Sequence, residues 1–191
     1  MLPKLWLDCF TKPKETFAKQ KNKANLGKLL LNIAVSAVGF ATLFLFLQVM
    51  PFTQPLLSEK ELLFGTIMFL PFSWVAFSII FLINECFFAA LHFLFSRLLG
   101  GKGTYTQLLW LCSLTSPIGN TLQALPYFGI AVAIYSMYLN ALLVKESQGL
   151  NFNRAALVIL LSLGVYLAFL FLIGQYLEGF LPVLYNELYS G

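Results

Sequence analysis

Positive charge in this chain is confined to one side of a series of apolar segments, and that confinement limits the possible folds more than any motif does. Five apolar segments stand out, at residues 29–50, 74–96, 106–125, 127–144 and 155–177. Let them cross a bilayer alternately from a cytoplasmic N-terminus. Lys4, Lys12, Lys14, Lys19, Lys21, Lys23, Lys28, Arg97, Lys102, Lys145 and Arg154 then share one side, and Lys60 alone lies on the other. Positively charged loops are retained in the cytoplasm during insertion. The asymmetry therefore predicts five spans, a cytoplasmic N-terminus and an external C-terminus. The expected fold class is all-α: a polytopic membrane protein, built as a five-helix transmembrane bundle behind a short amphipathic cytoplasmic segment.

Composition argues the same way. Hydrophobic residues make up 59% of the chain and charged residues 10%, where a soluble domain carries about 25% charged residues. Each long segment approaches or exceeds the ~20 residues that cross ~30 Å of hydrocarbon. A small soluble domain lacks the volume to hide five nearly all-apolar helices. The basic region runs to Lys28, and the apolar run after it exceeds the core of a secretory signal. Residues 29–50 are therefore read as a retained first span. Cys9, Cys86 and Cys112 are odd in number and scattered, so no disulfide framework is expected. The net charge of +4 comes mainly from the N-terminal segment. Beside a membrane, that points to anionic headgroups as partners and away from nucleic acid.

Two units follow: a basic amphipathic segment at 1–28 and a transmembrane domain at 29–191. Leu2, Leu5, Trp6, Cys9 and Phe10 recur at helical spacing on one face. Pro13 suits the first turn of a second short helix, anchored by Phe17. Such a segment either lies in the membrane interface or packs on the bundle. In the first span, Asn32, Ser36 and Gly39 form a small, weakly polar stripe that favours close helix approach. The loop at 51–61 ends in Glu59, Lys60 and Glu61 and is net acidic.

Residues 62–99 would make a helix of about 57 Å, too long for one crossing. A hairpin near Asn84-Glu85 would put the later basic loops outside. The preferred reading is an external interfacial helix ending near Pro71, followed by a span from Trp74. The third segment contains Pro117 and ends at Pro126, with Ser113, Ser116, Asn120 and Gln123 to one side. Its short uncharged connection predicts an antiparallel pair with the fourth, where Ser136 and Asn140 form a stripe. Ser162 and Tyr166 mark the fifth. An acidic external tail with Tyr185 and Tyr189 is expected at 178–191.

Two groups of residues are candidates for function. Glu85 is a carboxylate inside a span, where ionisable groups are expensive and functional by default. Ser78, Glu85 and His92 are spaced by seven and share a face, with Ser96 four residues on. Asn120, Gln123 and Asn140 are its candidate polar partners on other spans. The stripe is either a proton-coupling or ion site, or a neutral acid hydrogen-bonded to those amides that holds the helices in register. His92 stands alone, so no metal or other cofactor is expected. No nucleophile elbow or paired-acid motif points to an enzyme. The second group lies in two cytoplasmic turns: Gly100, Gly101, Lys102 and Gly103, and Gln148, Gly149 and Arg154. The GxxxxGK[ST] spacing of a phosphate loop is absent, so these turns are read as a contact face.

Several motifs occur in a recognisable order. The run Pro13-Lys14-Glu15-Thr16-Phe17 precedes the first span. Leu98-Leu99-Gly100-Gly101-Lys102-Gly103-Thr104-Tyr105 follows the second, and Pro117 interrupts the third. Glu146-Ser147-Gln148-Gly149-Leu150-Asn151-Phe152-Asn153-Arg154-Ala155 follows the fourth. The arrangement resembles the Yip domain family, whose eukaryotic members interact with Ypt/Rab GTPases. The last run is similar to that family's H-G-L-S…K-A turn, with Gln148 in place of His and Asn151 in place of Ser. The chain lacks the long cytosolic N-terminal region of the trafficking members and looks like the short prokaryotic form. The resemblance implies five helices, a cytoplasmic N-terminus, no enzyme activity and a role through protein or lipid contacts. It also suggests a prokaryotic plasma membrane. The expected function is that of a membrane-embedded organising protein, with a homo-oligomer or a membrane protein as partner. The alternative is a small transporter or channel using the Ser78, Glu85 and His92 stripe.

Overall fold

The computed structural model describes the backbone of residues 2–49, 59–125 and 129–189, and the side chains of residues 2–47, 64–125 and 129–176. Among these residues there are seven α-helices and no strand. Two short helices come first, α1 (Leu2–Thr11) and α2 (Pro13–Gln20). Five long ones follow: α3 (Leu26–Phe44), α4 (Glu59–Leu98), α5 (Tyr105–Gln123), α6 (Gly129–Gln148) and α7 (Phe152–Tyr189). A π-helical stretch, Leu45–Val49, continues α3.

Local chemistry sets most of the ends. Pro13 opens α2, where its missing N–H is not needed. The Asn25 side chain accepts from the Lys28 N–H at 3.0 Å and caps α3. Thr104 and Gln107 form a reciprocal capping box on α5. Asn151 accepts from the Arg154 N–H at 2.9 Å at the start of α7. Gly100 and Gly149, at φ +92° and +68°, end α4 and α6 in the left-handed conformation that glycine adopts without strain.

The expected break near Pro71 is corrected here. Helix α4 runs 40 residues without a break, about 60 Å. It neither turns back at Asn84-Glu85 nor ends at Pro71. A proline removes one N–H and frees one carbonyl, which neighbouring hydroxyls and local adjustment can absorb inside a long apolar helix. Helix α7 likewise continues past residue 177 to Tyr189, so the expected tail is helical. Residues 51–58 of the acidic loop, and Pro126 with Tyr127, lie outside the described residues.

Contacts fix the direction of each helix. Asn32 of α3 meets Ser113 of α5, and Ser36 meets Ser116 and Asn120, so α3 and α5 run parallel. Phe40 packs edge-on against Phe77 and Phe81 while Trp74 reaches Thr42, so α4 runs against α3. Gln148 approaches Thr104 and Ser136 approaches Gly119, so α6 runs against α5. Arg154 reaches Leu99 and Tyr166 packs on Phe88, so α7 runs against α4. The five long helices thus alternate in direction along the chain.

Three of them are long and apolar enough to cross a membrane, over Leu26–Leu47, Phe64–Leu98 and Phe152–Tyr176. Helices α5 and α6 are shorter and more polar. Helix α5 tolerates this because it is central: α1, α3, α4 and α6 all pack on it. Its residues Leu108, Trp110, Leu111 and Leu114 are buried in the core with Leu142, Leu143 and Val144 of α6.

The N-terminal helices dock on this core. Trp6 Nε1 donates to Asn32 Oδ1 at 2.9 Å, Tyr135 Oη to the Phe10 carbonyl at 2.6 Å, and Trp110 Nε1 to the Gln20 carbonyl at 3.0 Å. Cys9 and Phe17 are fully buried. The apolar stripe is therefore spent on protein, while Lys4, Lys12, Lys14, Lys19 and Lys23 stay exposed. Burial, with Asp8 adjacent, pushes the Cys9 thiol up to about 12. The thiolate is the reactive form, and at pH 8 such a thiol is ionised in about one part in 10⁴. Peptide-resolved mass spectrometry after iodoacetamide treatment should find Cys9 protected in lipid discs and labelled after denaturation. Fast labelling in discs would mean that α1 is not docked.

Candidate functional site

A polar cavity of about 410 Å³ lies between α4, α5, α6 and α7. Glu85 and His92 reach it from α4, Asn120 and Gln123 from α5, and Asn140 from α6. Five of the six residues expected at an intramembrane polar site therefore share one space. Ser78 does not join them. It lies about 10 Å further along α4, and its Oγ donates to the Trp74 carbonyl one turn back at 2.7 Å. A hydroxyl can satisfy itself on its own helix in this way, so sharing a face with Glu85 is not enough to bring it to the cavity.

The partner of Glu85 also differs from expectation. Ser116 Oγ donates to Glu85 Oε1, and among the described residues no other group hydrogen-bonds this carboxyl. Asn120 turns its Nδ2 to Ser36 Oγ at 2.9 Å, and Ser36 Oγ donates to the Ser116 carbonyl at 3.0 Å. Of the three amides offered as partners for Glu85, Asn120 instead ties α5 to α3. Cys112, Thr115 and Ser116 complete the α5 wall, and Ser136 faces them from α6. Their signal in the sequence is the run 112, 116, 120 at four-residue spacing, which is one stripe of a helix. Phe88 and Tyr166 form an aromatic wall, with centroids 4.7 Å apart and planes at 48°. His92 Nδ1 is buried without a hydrogen-bond partner, as are Ser96 Oγ on the same helix and Ser162 Oγ on α7. No cluster of His, Cys, Asp or Glu with metal-binding geometry occurs among the described residues.

The second group of candidates comes together at one end of the bundle. The Lys102 N–H donates to the Gln148 carbonyl at 2.9 Å, joining the two glycine turns. Gln148 Nε2 donates back to the Thr104 carbonyl at 3.4 Å. The Arg97 guanidinium spans the first turn, donating to the carbonyls of Gly101 at 3.2 Å and Gly103 at 2.9 Å, and lies over the Phe93 ring. Arg154 Nη1 donates to the Leu99 carbonyl at 3.3 Å. Gln107 Nε2 donates to Asn22 Oδ1 at 2.9 Å, tying in the N-terminal segment. Within this clasp Gly101 and Gln148 are buried and Gly103 is half-buried, while Gly100, Lys102, Gly149 and Arg154 are exposed.

Two glycines are required by close approach. A Cβ on Gly103 would sit 1.8 Å from the Ser147 carbonyl oxygen, and one on Gly101 would sit 2.8 Å from that of Ser96. Both obstacles are backbone, which cannot rotate away. Gly103→Ala should therefore lower stability by about 1–3 kcal/mol, measured as a shift in the unfolding midpoint in lipid discs. Gly164→Ala, with nothing within 4 Å of the added atom, should shift it little. Equal effects would mean that the clasp is not tightly packed.

Residues 7–174 match the family described as the Yip1 domain, a span running from α1 into α7. No curated protein and no solved structure matches the chain.

Proposed function

The chain belongs to the Yip1 domain family, and from that membership we propose that it is a non-enzymatic membrane protein that organises partners through its clasp end. In this reading all five long helices cross the bilayer. Their alternating direction supports it, and the shielded position of α5 accounts for its weaker hydropathy. The basic end faces the cytoplasm by the retention of positive loops. The membrane proposed is a prokaryotic plasma membrane.

One observation carries the proposal. Two turns distant in sequence and the segment after α2 are bonded into one polar end, on a molecule whose sides are apolar and suited to lipid. The exposed Lys102 and Arg154 give that end a fixed positive surface. A rigid surface forfeits little conformational entropy on binding. The partners proposed are anionic lipid headgroups and either a second copy of the chain or another membrane protein. A small transporter is the second reading, favoured by the polar cavity around Glu85.

Crosslinking in native membranes, then purification in lipid discs and mass spectrometry, should yield a defined homo-oligomer or one stoichiometric membrane partner. Lys102→Glu, at an exposed side chain that the clasp does not use, should weaken that complex at unchanged stability, and Glu85→Gln should leave it intact. A lone monomer would reject the organising role. Neutralising Lys12, Lys14, Lys19, Lys21 and Lys23 should weaken anionic-lipid contact by about 1 kcal/mol per charge near the surface. Native mass spectrometry of co-purified lipid reads this out, and unchanged lipid selectivity would refute it.

A further inference from the structure

We infer that the cavity between α4, α5, α6 and α7 binds an alkylammonium group, carried by a free amine or by the headgroup of a lipid. Its volume, about 410 Å³, falls in the range of roughly 300–1,000 Å³ typical of small-molecule sites. Its chemistry selects the ligand. Glu85 is the one carboxylate on the wall, and no Lys or Arg lines the cavity among the described residues. Ser116 occupies one carboxyl oxygen and the other has no hydrogen-bond partner. An acid placed at membrane depth without a protein cation is costly. A cationic ligand supplies the missing partner, whereas an anion would meet none.

The remaining groups fit a donor-rich head. Asn120 spends its Nδ2 on Ser36, which leaves its Oδ1 free to accept. Asn140 lines the opposite wall with an amide, which includes an acceptor oxygen, and His92 Nδ1 is buried and unpartnered. An ammonium carries several N–H donors and no acceptor, the complement of such a wall. Phe88 and Tyr166 stand at an angle to each other on the remaining side. A cation that reaches an aromatic face is attracted to it, and the attraction strengthens where water is excluded. A metal ion fits less well, because one carboxylate and scattered amides do not make a coordination set.

The test uses the full chain in discs of phosphatidylglycerol, a lipid without an ammonium group. Equilibrium binding of labelled butylammonium is compared with that of butanol, its neutral counterpart. Saturable 1:1 binding of butylammonium is expected, with butanol binding far more weakly. Glu85→Gln, which keeps the shape and a partner for Ser116, should weaken butylammonium at least about tenfold. Tyr166→Leu should weaken it about threefold or more. Asn140→Leu, on the far wall, gives a second reading if Glu85→Gln proves unstable by its melting curve. Repeating the measurement with phosphatidylethanolamine in the discs separates the two sources. Loss of butylammonium binding there identifies a lipid headgroup as the occupant, and unchanged binding identifies a free amine. No saturable binding, butanol binding as tightly as butylammonium, or full affinity in folded Glu85→Gln and Asn140→Leu variants would each overturn the inference. None of these outcomes bears on the clasp, so the organising role stands or falls separately.

Discussion

A helix as polar as α5, if it crosses the bilayer as proposed, needs its neighbours to cover it. Buried polar groups in a membrane must find partners within the protein, and α5 carries Ser113, Thr115, Ser116, Asn120 and Gln123 along 19 residues. Helix α3 answers with Asn32 and Ser36, both fully buried against α5. Gly39 lets the two backbones close, because a Cβ there would fall 2.4 Å from Thr121 Oγ1. Trp6 completes the Asn32 site from outside. Interhelical hydrogen bonds in membranes average only about 0.6 kcal/mol each, so the ladder adds modest stability. Its larger effect is on register, since a shift of one residue would strand several polar groups at once, each at a cost of about 1–3 kcal/mol.

Where the α3 ladder holds one face of α5, the clasp holds its start. Helix α5 begins at Thr104, immediately after the turn that Arg97 spans and that Lys102 joins to Gln148. The clasp thereby anchors the end of α4, the start of α5 and the end of α6 to one another, and Arg154 adds the start of α7. Ordinary side chains would separate the turns by several ångströms. Glycine at 101 and 103 permits direct backbone contact, and positive φ at Gly100 and Gly149 permits the abrupt helix ends that bring the turns together.

Much of this was legible in the residues, and the failures have physical causes. The charge asymmetry and the length of the apolar segments pointed to a helical membrane protein, because insertion reads those same properties. The family was legible from the glycine turns, whose spacing reflects a packing requirement. The cavity was legible in part, since spacing by seven keeps Glu85 and His92 on one face. The same rule wrongly enlisted Ser78, because it gives the face of a residue and says nothing of where along that face the neighbouring helices lie. Pro71 misled in a similar way: backbone rules weigh against proline in a helix, yet inside a long apolar helix every alternative exposes more unsatisfied backbone. The choice of Ser116 over Asn120 as the partner of Glu85 depends on α3, which claims Asn120 first. No reading of α4 and α5 alone could find that competition.

The cavity and the clasp share one rod. From Glu85 the same face of α4 passes through His92 to Ser96, all on the inner side, and the Ser96 carbonyl accepts the Gly101 N–H at 2.7 Å. A ligand can shift an equilibrium only as far as its affinities for two arrangements differ. At the clasp a second arrangement is hard to build, because a single methyl on Gly103 already meets backbone. Toward the other end α4 is held as well, by Trp74 on Thr42 and by Phe77 on Phe40 and Phe44 of α3. The cavity and the surface offered to partners therefore belong to one packed frame.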